Sequence, residues 1–264
     1  MDHRFLFIAG LHRSGTSILH RGIRQHPEIS GFQNTGVPED EGQHLQTVFP
    51  PAIQLGGPGR FAFHPRAHLT EHSSLVTPEN REQLLKEWGQ YWDLQKPVLV
   101  EKSPKNLTQT RFLQALFPNS YFLIILRHPI VVALATQKWA RWKTMAYLVK
   151  HWIHAHRIFK EDAVHLNHFR IVYYEQFVLQ PEKHFQRIFE WIGVAPFQPD
   201  QEVKNANSKY SDRWKAINGW YKRYLAYRFE APVRQFGYQL HDLQTLADCP
   251  DFWKHHLLIP EGTP

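Results

Sequence analysis

Four short apolar runs stand out along the chain: Arg4–Ala9, Pro97–Glu101, Tyr121–Leu126 and Phe169–Tyr174. Runs of this length without polar alternation fit strands buried on both faces. Between them, helical patterning covers Ser17–Gln25, Pro78–Tyr91, Thr108–Phe117, Val131–Trp139, Thr144–Ala163 and Pro181–Ile192, and it returns over Trp220–Phe236. Boundary signals support two of these helices. Thr77 caps the one that opens with Pro78, and Gly193 closes the one that ends at Ile192. Strands alternating with helices predict an α/β fold with a parallel sheet and right-handed crossovers. The segment Ser30–Ser74 breaks the pattern. It is rich in Gly, Pro, His and Gln, has weak periodicity, and reads as a lid or acceptor-binding excursion.

Charged residues gather where the strands should end. The first run leads into Gly10-Leu11-His12-Arg13-Ser14-Gly15-Thr16-Ser17 and then a helix. A strand, a glycine-bounded turn and a helix start aim backbone N–H groups and a positive dipole at one spot, which suits a phosphate. The glycine spacing is that of the nucleotide loop G-x-x-x-x-G-K-[ST], but Thr16 stands in the lysine position. Enzymes acting on ATP or GTP use that lysine on the β- and γ-phosphates. Here the cation, Arg13, lies inside the turn. The run ending at Leu126 continues as Arg127-His128-Pro129, which sets a cation at the carboxyl end of a buried strand, where open α/β sheets bind ligands. The second run ends in Glu101-Lys102-Ser103-Pro104-Lys105-Asn106.

The loop Arg13-Ser14-Gly15-Thr16-Ser17 resembles the 5′-phosphosulfate loop of sulfotransferases that use 3′-phosphoadenosine-5′-phosphosulfate (PAPS), in which Lys or Arg precedes Ser-Gly-Thr-Thr or a close variant. The family binds the 3′-phosphate through an arginine in Arg-Asn-Pro or Arg-Asp-Pro, the role implied for Arg127. Its usual serine eight residues further on is Ala135 here, and Thr136 lies one step along, rotated by about 100° on a helix. That contact is therefore missing, made by Thr136 after a shift, or replaced. Glu101-Lys102-Ser103 is similar to the Glu-Lys-(Ser/Thr) stretch of carbohydrate sulfotransferases, whose glutamate is the base. Lys102 also matches the catalytic lysine of tyrosylprotein sulfotransferases. Those enzymes take their base from an acidic segment after the phosphate-loop helix, and small-molecule enzymes use a histidine. Pro38-Glu39-Asp40-Glu41-Gly42-Gln43-His44 thus offers Glu41 and His44 as rivals to Glu101. Sulfuryl transfer asks for a base, in-line geometry and cations on the leaving oxygen, and the residue types alone leave the choice of base open. Ile171–Pro181 resembles the family's Tyr-(Tyr)-Glu-(Asp/Gln)-Leu-Val-x-x-Pro segment, which implies that Tyr174 lies near the adenine. Asn207–Trp214 is loosely similar to the loop that closes over the nucleotide.

The resemblance implies a P-loop-like three-layer α/β/α fold with a central, mostly parallel sheet. It implies one sulfotransferase domain over residues 1–264, with the excursion at about 30–75. PAPS would be the donor and PAP, its desulfated form, the product, with no metal. The acceptor would be a small molecule, a carbohydrate or a tyrosine-type hydroxyl, or an amine.

Composition narrows the alternatives. The net charge of +7 suits anionic ligands. The basic residues are dispersed, which weighs against a nucleic-acid binder. A P-loop kinase or nucleotide hydrolase is disfavoured by Thr16 and by the lack of a strand ending in a metal-binding aspartate. The single cysteine, Cys249, excludes an intrachain disulfide and a Cys-rich zinc site, and the histidines are scattered without ligand spacing. The apolar run at Phe5 is short, and no stretch approaches the roughly 18 residues of a membrane span. A cytoplasmic protein is the expectation.

Overall fold

The computed structural model describes residues 3–243 and 249–259. Strand β1 (Arg4–Ala9) is central to the sheet, which among the described residues has five strands. The others are β2 (Ile29–Gly31), β3 (Val98–Lys102), β4 (Ser120–Leu126) and β5 (Phe169–Tyr173), in the order β2-β3-β1-β4-β5. Every neighbouring pair is parallel. The register sets Phe7 opposite Glu101 and Phe122, and Ile8 opposite Lys102 and Leu123. The polar end of β3 therefore arrives level with the end of β1, at the edge of the sheet where the turn Gly10–Ser17 begins.

The two-residue period of β1 divides the core. Leu6 and Ile8 face helices α1 (Thr16–Ile23) and α7 (Pro181–Ile192), and pack with Leu19, Ile23, Phe185 and Ile188. Phe5, Phe7 and Ala9 face the other way. They join a larger cluster built from α2 (Pro78–Trp88), α3 (Thr110–Leu116), α4 (Pro129–Thr136) and α5 (Met145–Ala163), which includes Trp88, Phe112 and Trp152. Each such side chain contributes about 1.5–3 kcal/mol when fully buried, so neither face of the sheet is left to water. The result is three layers, α/β/α. Thr77 caps α2 as expected, accepting the Asn80 N–H at 3.2 Å. Pro129 stands in the first turn of α4, where the missing N–H costs nothing.

The remaining helices are α6 (Tyr174–Phe177), α8 (Ser208–Lys215), α9 (Gly219–Arg234) and α10 (Asp251–Lys254). The stretch expected to be a loop at Asn207–Trp214 is largely α8. Strand β2, at three residues, is too short to carry a periodic signal. The segment from 30 to 74 folds as single 3₁₀ turns, among them Pro38–Asp40, Gly42–His44, Ala52–Leu55 and Phe61–Phe63. Isolated anchors, Phe32, Phe49, Leu55 and Phe61, pin it into the core.

Candidate active site

The turn after β1 is shaped by two close approaches. A Cβ at Gly10 would lie 2.6 Å from the Ile125 carbonyl oxygen of β4. Gly15, which caps α1, has φ +107°, and a Cβ there would lie 2.7 Å from the Tyr174 ring. Between them Arg13 has φ 72°, a backbone state that side-chain-bearing residues seldom adopt. The Ser14 N–H closes the turn on the Leu11 carbonyl at 3.0 Å. Thr16 and Ser17 open α1, so their N–H groups have no carbonyl one turn back, and they point outward with the helix dipole. Anion-binding geometry is thus present in the backbone, with the Arg13 guanidinium beside it.

Arg127 leaves the end of β4 and is 5% exposed. Its Nε donates to Asn207 Oδ1 at 2.8 Å, and its Nη1 donates to the Arg13 carbonyl at 2.8 Å. The third nitrogen, Nη2, is buried and has no partner among the described residues. Asn207 is itself fixed by Glu175, whose carboxylate also accepts the His128 N–H and the Tyr238 hydroxyl. The guanidinium lies 3.9 Å from the centroid of the Tyr174 ring. Burial lowers the pKa of Arg127, and an anion at Nη2 would offset that loss of hydration. Tyr174 is fully buried. Its ring is held between Gly15 and Arg127, and its hydroxyl accepts the Ala206 N–H at 3.2 Å.

Both cations open onto one cleft of about 780 Å³, a size suited to a nucleotide with room beside it. Arg13, Gly15, Thr16, Ser17, Arg127 and Tyr174 line it, together with Glu41, His44, Ile53 and Pro104. Glu41 is held firmly. Its Oε1 accepts the Lys102 ammonium at 3.2 Å and its Oε2 accepts the Gln43 amide at 2.5 Å, with His44 Nε2 at 3.8 Å. Burial depresses the pKa of His44. Lys102 is fully buried and gives a second bond to the Glu39 carbonyl at 2.8 Å, so it acts on the cleft through Glu41.

Glu101 points elsewhere. The residue is 1% exposed, and its carboxyl group is bonded to the Ser103 hydroxyl and the Asn106 amide and walled by Gly42, where a Cβ would lie 2.5 Å from it. Burial raises its pKa to about 7 against the pull of those two hydrogen bonds. The network continues through Asn106 and Gln109 to Lys105, a fully buried lysine whose pKa burial lowers to about 7.

The structure therefore brings together Arg13, Gly15, Thr16, Ser17, Arg127, Tyr174, Glu41 and His44 on the cleft. Ser14 turns inward, its buried hydroxyl unpartnered among the described residues. Thr136 lies away from the cleft, buried near Gly59 and Leu148 in a small hollow that also touches His12. Three site residues went unassigned in the sequence reading. Gln43 orients Glu41, Asn207 orients Arg127, and Trp139 sits 5.0 Å from the Arg13 guanidinium at the cleft mouth. Gln43 stands two residues from Glu41 in the same turn, which was the available signal. Among the described residues no group of three His, Cys, Asp or Glu side chains could hold a metal ion, and no helix is long and apolar enough to cross a membrane.

Comparison with known proteins places the chain in a family. Protein-tyrosine sulfotransferase of Drosophila melanogaster is 24% identical over 202 residues, covering 72% of this chain and 38% of that protein. Protein-tyrosine sulfotransferase 2 of Gallus gallus is 24% identical over 201 residues, 72% of this chain and 51% of that protein. The chain thus spans about half or less of the length of these curated relatives. A solved sulfotransferase from Alicyclobacillus acidocaldarius superposes with a TM-score of 0.55 at 16% identity, over 89% of this chain and 94% of that one, a likeness of fold. The model of the sulfotransferase family matches residues 6–199, from Leu6 in β1 to seven residues beyond the end of α7, and on that match the chain belongs to the sulfotransferase family.

Proposed function

We propose that this chain transfers a sulfuryl group from PAPS to a hydroxyl or amine acceptor by in-line displacement. One observation carries the reading: a buried arginine, Arg127, with Nη2 unpartnered among the described residues, shares a cleft with a glycine-bounded turn whose leading N–H groups have no carbonyl one turn back. A nucleotide phosphorylated at both ends of its ribose satisfies both. Arg13 to Ser17 would hold the 5′-phosphosulfate and Arg127 the 3′-phosphate. Glu41 is the base the geometry favours, because it lines the cleft and its carboxylate is fixed by Lys102 and Gln43. His44 stands beside it, and Glu101 belongs to the layer beneath. Arg13 and the N–H groups opening α1 would stabilise charge on the departing phosphate. The names of the curated relatives point to a phenolic hydroxyl among the acceptors.

Calorimetry tests the donor assignment. PAP should bind without Mg²⁺ and more tightly than Mg-ATP. Arg127→Ala should weaken PAP roughly tenfold to a hundredfold, the usual loss for one charge-assisted contact. Preference for Mg-ATP would instead favour the kinase or hydrolase alternative and end this reading.

A further inference from the structure

The connection between α4 and α5 presents Lys138, Trp139, Arg141 and Trp142 to solvent around the buried Ala140. Trp142 is 75% exposed and Trp139 58%. Lys138 and Arg141 meet Arg213 of α8 and Gln137 around one shallow, open hollow. No ion pair joins any of these three cations to a carboxylate among the described residues. Asp212, next in sequence to Arg213, pairs instead with Lys215 at 3.8 Å. Arg213 spends one nitrogen on the Leu134 carbonyl at 3.1 Å, which fixes its position without neutralising it.

Two exposed indoles, with Arg13 over Trp139 and Lys143 over Trp142 at 5.0 Å each, stand beside three cations that have no carboxylate partner among the described residues, a combination apt for one environment. Indoles settle at the headgroup level of a bilayer, where the ring is sheltered and the N–H stays wet. Cations nearby gain from anionic lipid phosphates. We propose that this rim docks the protein onto an anionic bilayer surface, with Trp139 and Trp142 entering the headgroup layer and Lys138, Arg141 and Arg213 meeting lipid phosphates. The indoles decide for a bilayer over a soluble polyanion, because a polyanion would engage the cations and leave both rings in water. Position supports the same occupant. Trp139 also lines the cleft, and Ile53, 64% exposed, lines it too, so two of these three exposed apolar groups border the cleft. The docking does not rest on the donor assignment.

Sedimentation of the full chain with vesicles tests it. The protein should pellet with phosphatidylcholine vesicles containing phosphatidylserine, pellet far less with phosphatidylcholine alone, and release as salt rises. Arg141→Glu reverses one surface charge and should weaken binding about thirtyfold. Trp142→Ser should weaken it several-fold. Neither residue lines the cleft, so PAP affinity and the thermal unfolding midpoint should stay as in the parent. Failure to pellet with anionic vesicles, or equal pelleting of both variants, overturns the proposal. So does capture by a soluble heparin fragment without vesicle binding, or loss of PAP affinity in Arg141→Glu, which would assign the hollow to the donor. Vesicle binding in a protein that does not bind PAP would leave the docking intact and remove the donor reading instead.

Discussion

Replacing Glu101 with glutamine separates its two candidate roles. Glu101 as a residue is 1% exposed, and burial raises its pKa to about 7 from an ordinary 4.5. The folded state therefore holds this proton more tightly than the unfolded chain does. Stability from that source is complete below the unfolded value and is lost as pH rises through the folded one. One pKa unit corresponds to about 1.4 kcal/mol, so between about pH 5 and about pH 8 the parent should lose on the order of 2–3 kcal/mol relative to Glu101→Gln, which has no proton to release. Urea unfolding of both proteins at the two pH values measures this difference directly, and other titrating groups cancel between them. Steady-state turnover of the same variant supplies the second readout. A group walled by Gly42 and bonded to Ser103 and Asn106 should leave kcat within a few-fold of the parent. A flat stability difference would show that Glu101 is hydrated, and a collapse of kcat in a stable variant would return the base to Glu101.

Two further substitutions probe the cleft. Glu41→Gln should lower kcat by about a hundredfold or more, the usual worth of a general base, while PAP affinity measured by calorimetry stays unchanged. An unaltered kcat would move proton transfer to His44 or Glu101. Gly15→Ala places a Cβ 2.7 Å from Tyr174 at φ +107°, so a loss of about 1–3 kcal/mol in denaturant unfolding and weaker PAP binding are expected. A variant as stable and as tight-binding as the parent would refute the close packing of ring and turn.

Much of the frame was legible because burial on both faces writes itself as uninterrupted apolar sequence. Strands β1, β3, β4 and β5 lie within a residue or two of the runs that announced them. The sheet edge that carries the candidate site was legible for a related reason. Parallel strands end together, so Arg13, Lys102 and Arg127 could be placed near one edge from their positions after apolar runs. The 30–74 segment was opaque, since isolated anchors such as Phe49 and Phe61 leave no period. The choice between carboxylates was opaque too. Glu101 and Glu41 are equally charged in sequence, and only packing shows that Gly42 covers one while the other, though largely buried, lines the cleft. Lys105, a natural partner for Glu101 by position, instead meets Gln109 and the Phe49 ring.

These two carboxylates are nonetheless linked. The Glu41 charge helps to raise the pKa of Glu101, and Lys102 opposes it. Ser103 joins them physically, since its hydroxyl bonds to Glu101 and accepts the backbone N–H of Gln43, whose side chain holds Glu41. Environments that push paired titratable groups apart assign them different tasks. Here the buried member favours its proton, and the member on the cleft is fixed by a lysine and an amide. A protonated Glu101 also leaves only one negative charge beside Lys102, so the buried ion pair with Glu41 is balanced and no second carboxylate competes for the ammonium. The position of Glu41 is then set from the layer below. Raising the pH through about 7 should ionise Glu101 and add a second negative charge to the surroundings of Lys102, in the same titration that weakens the fold.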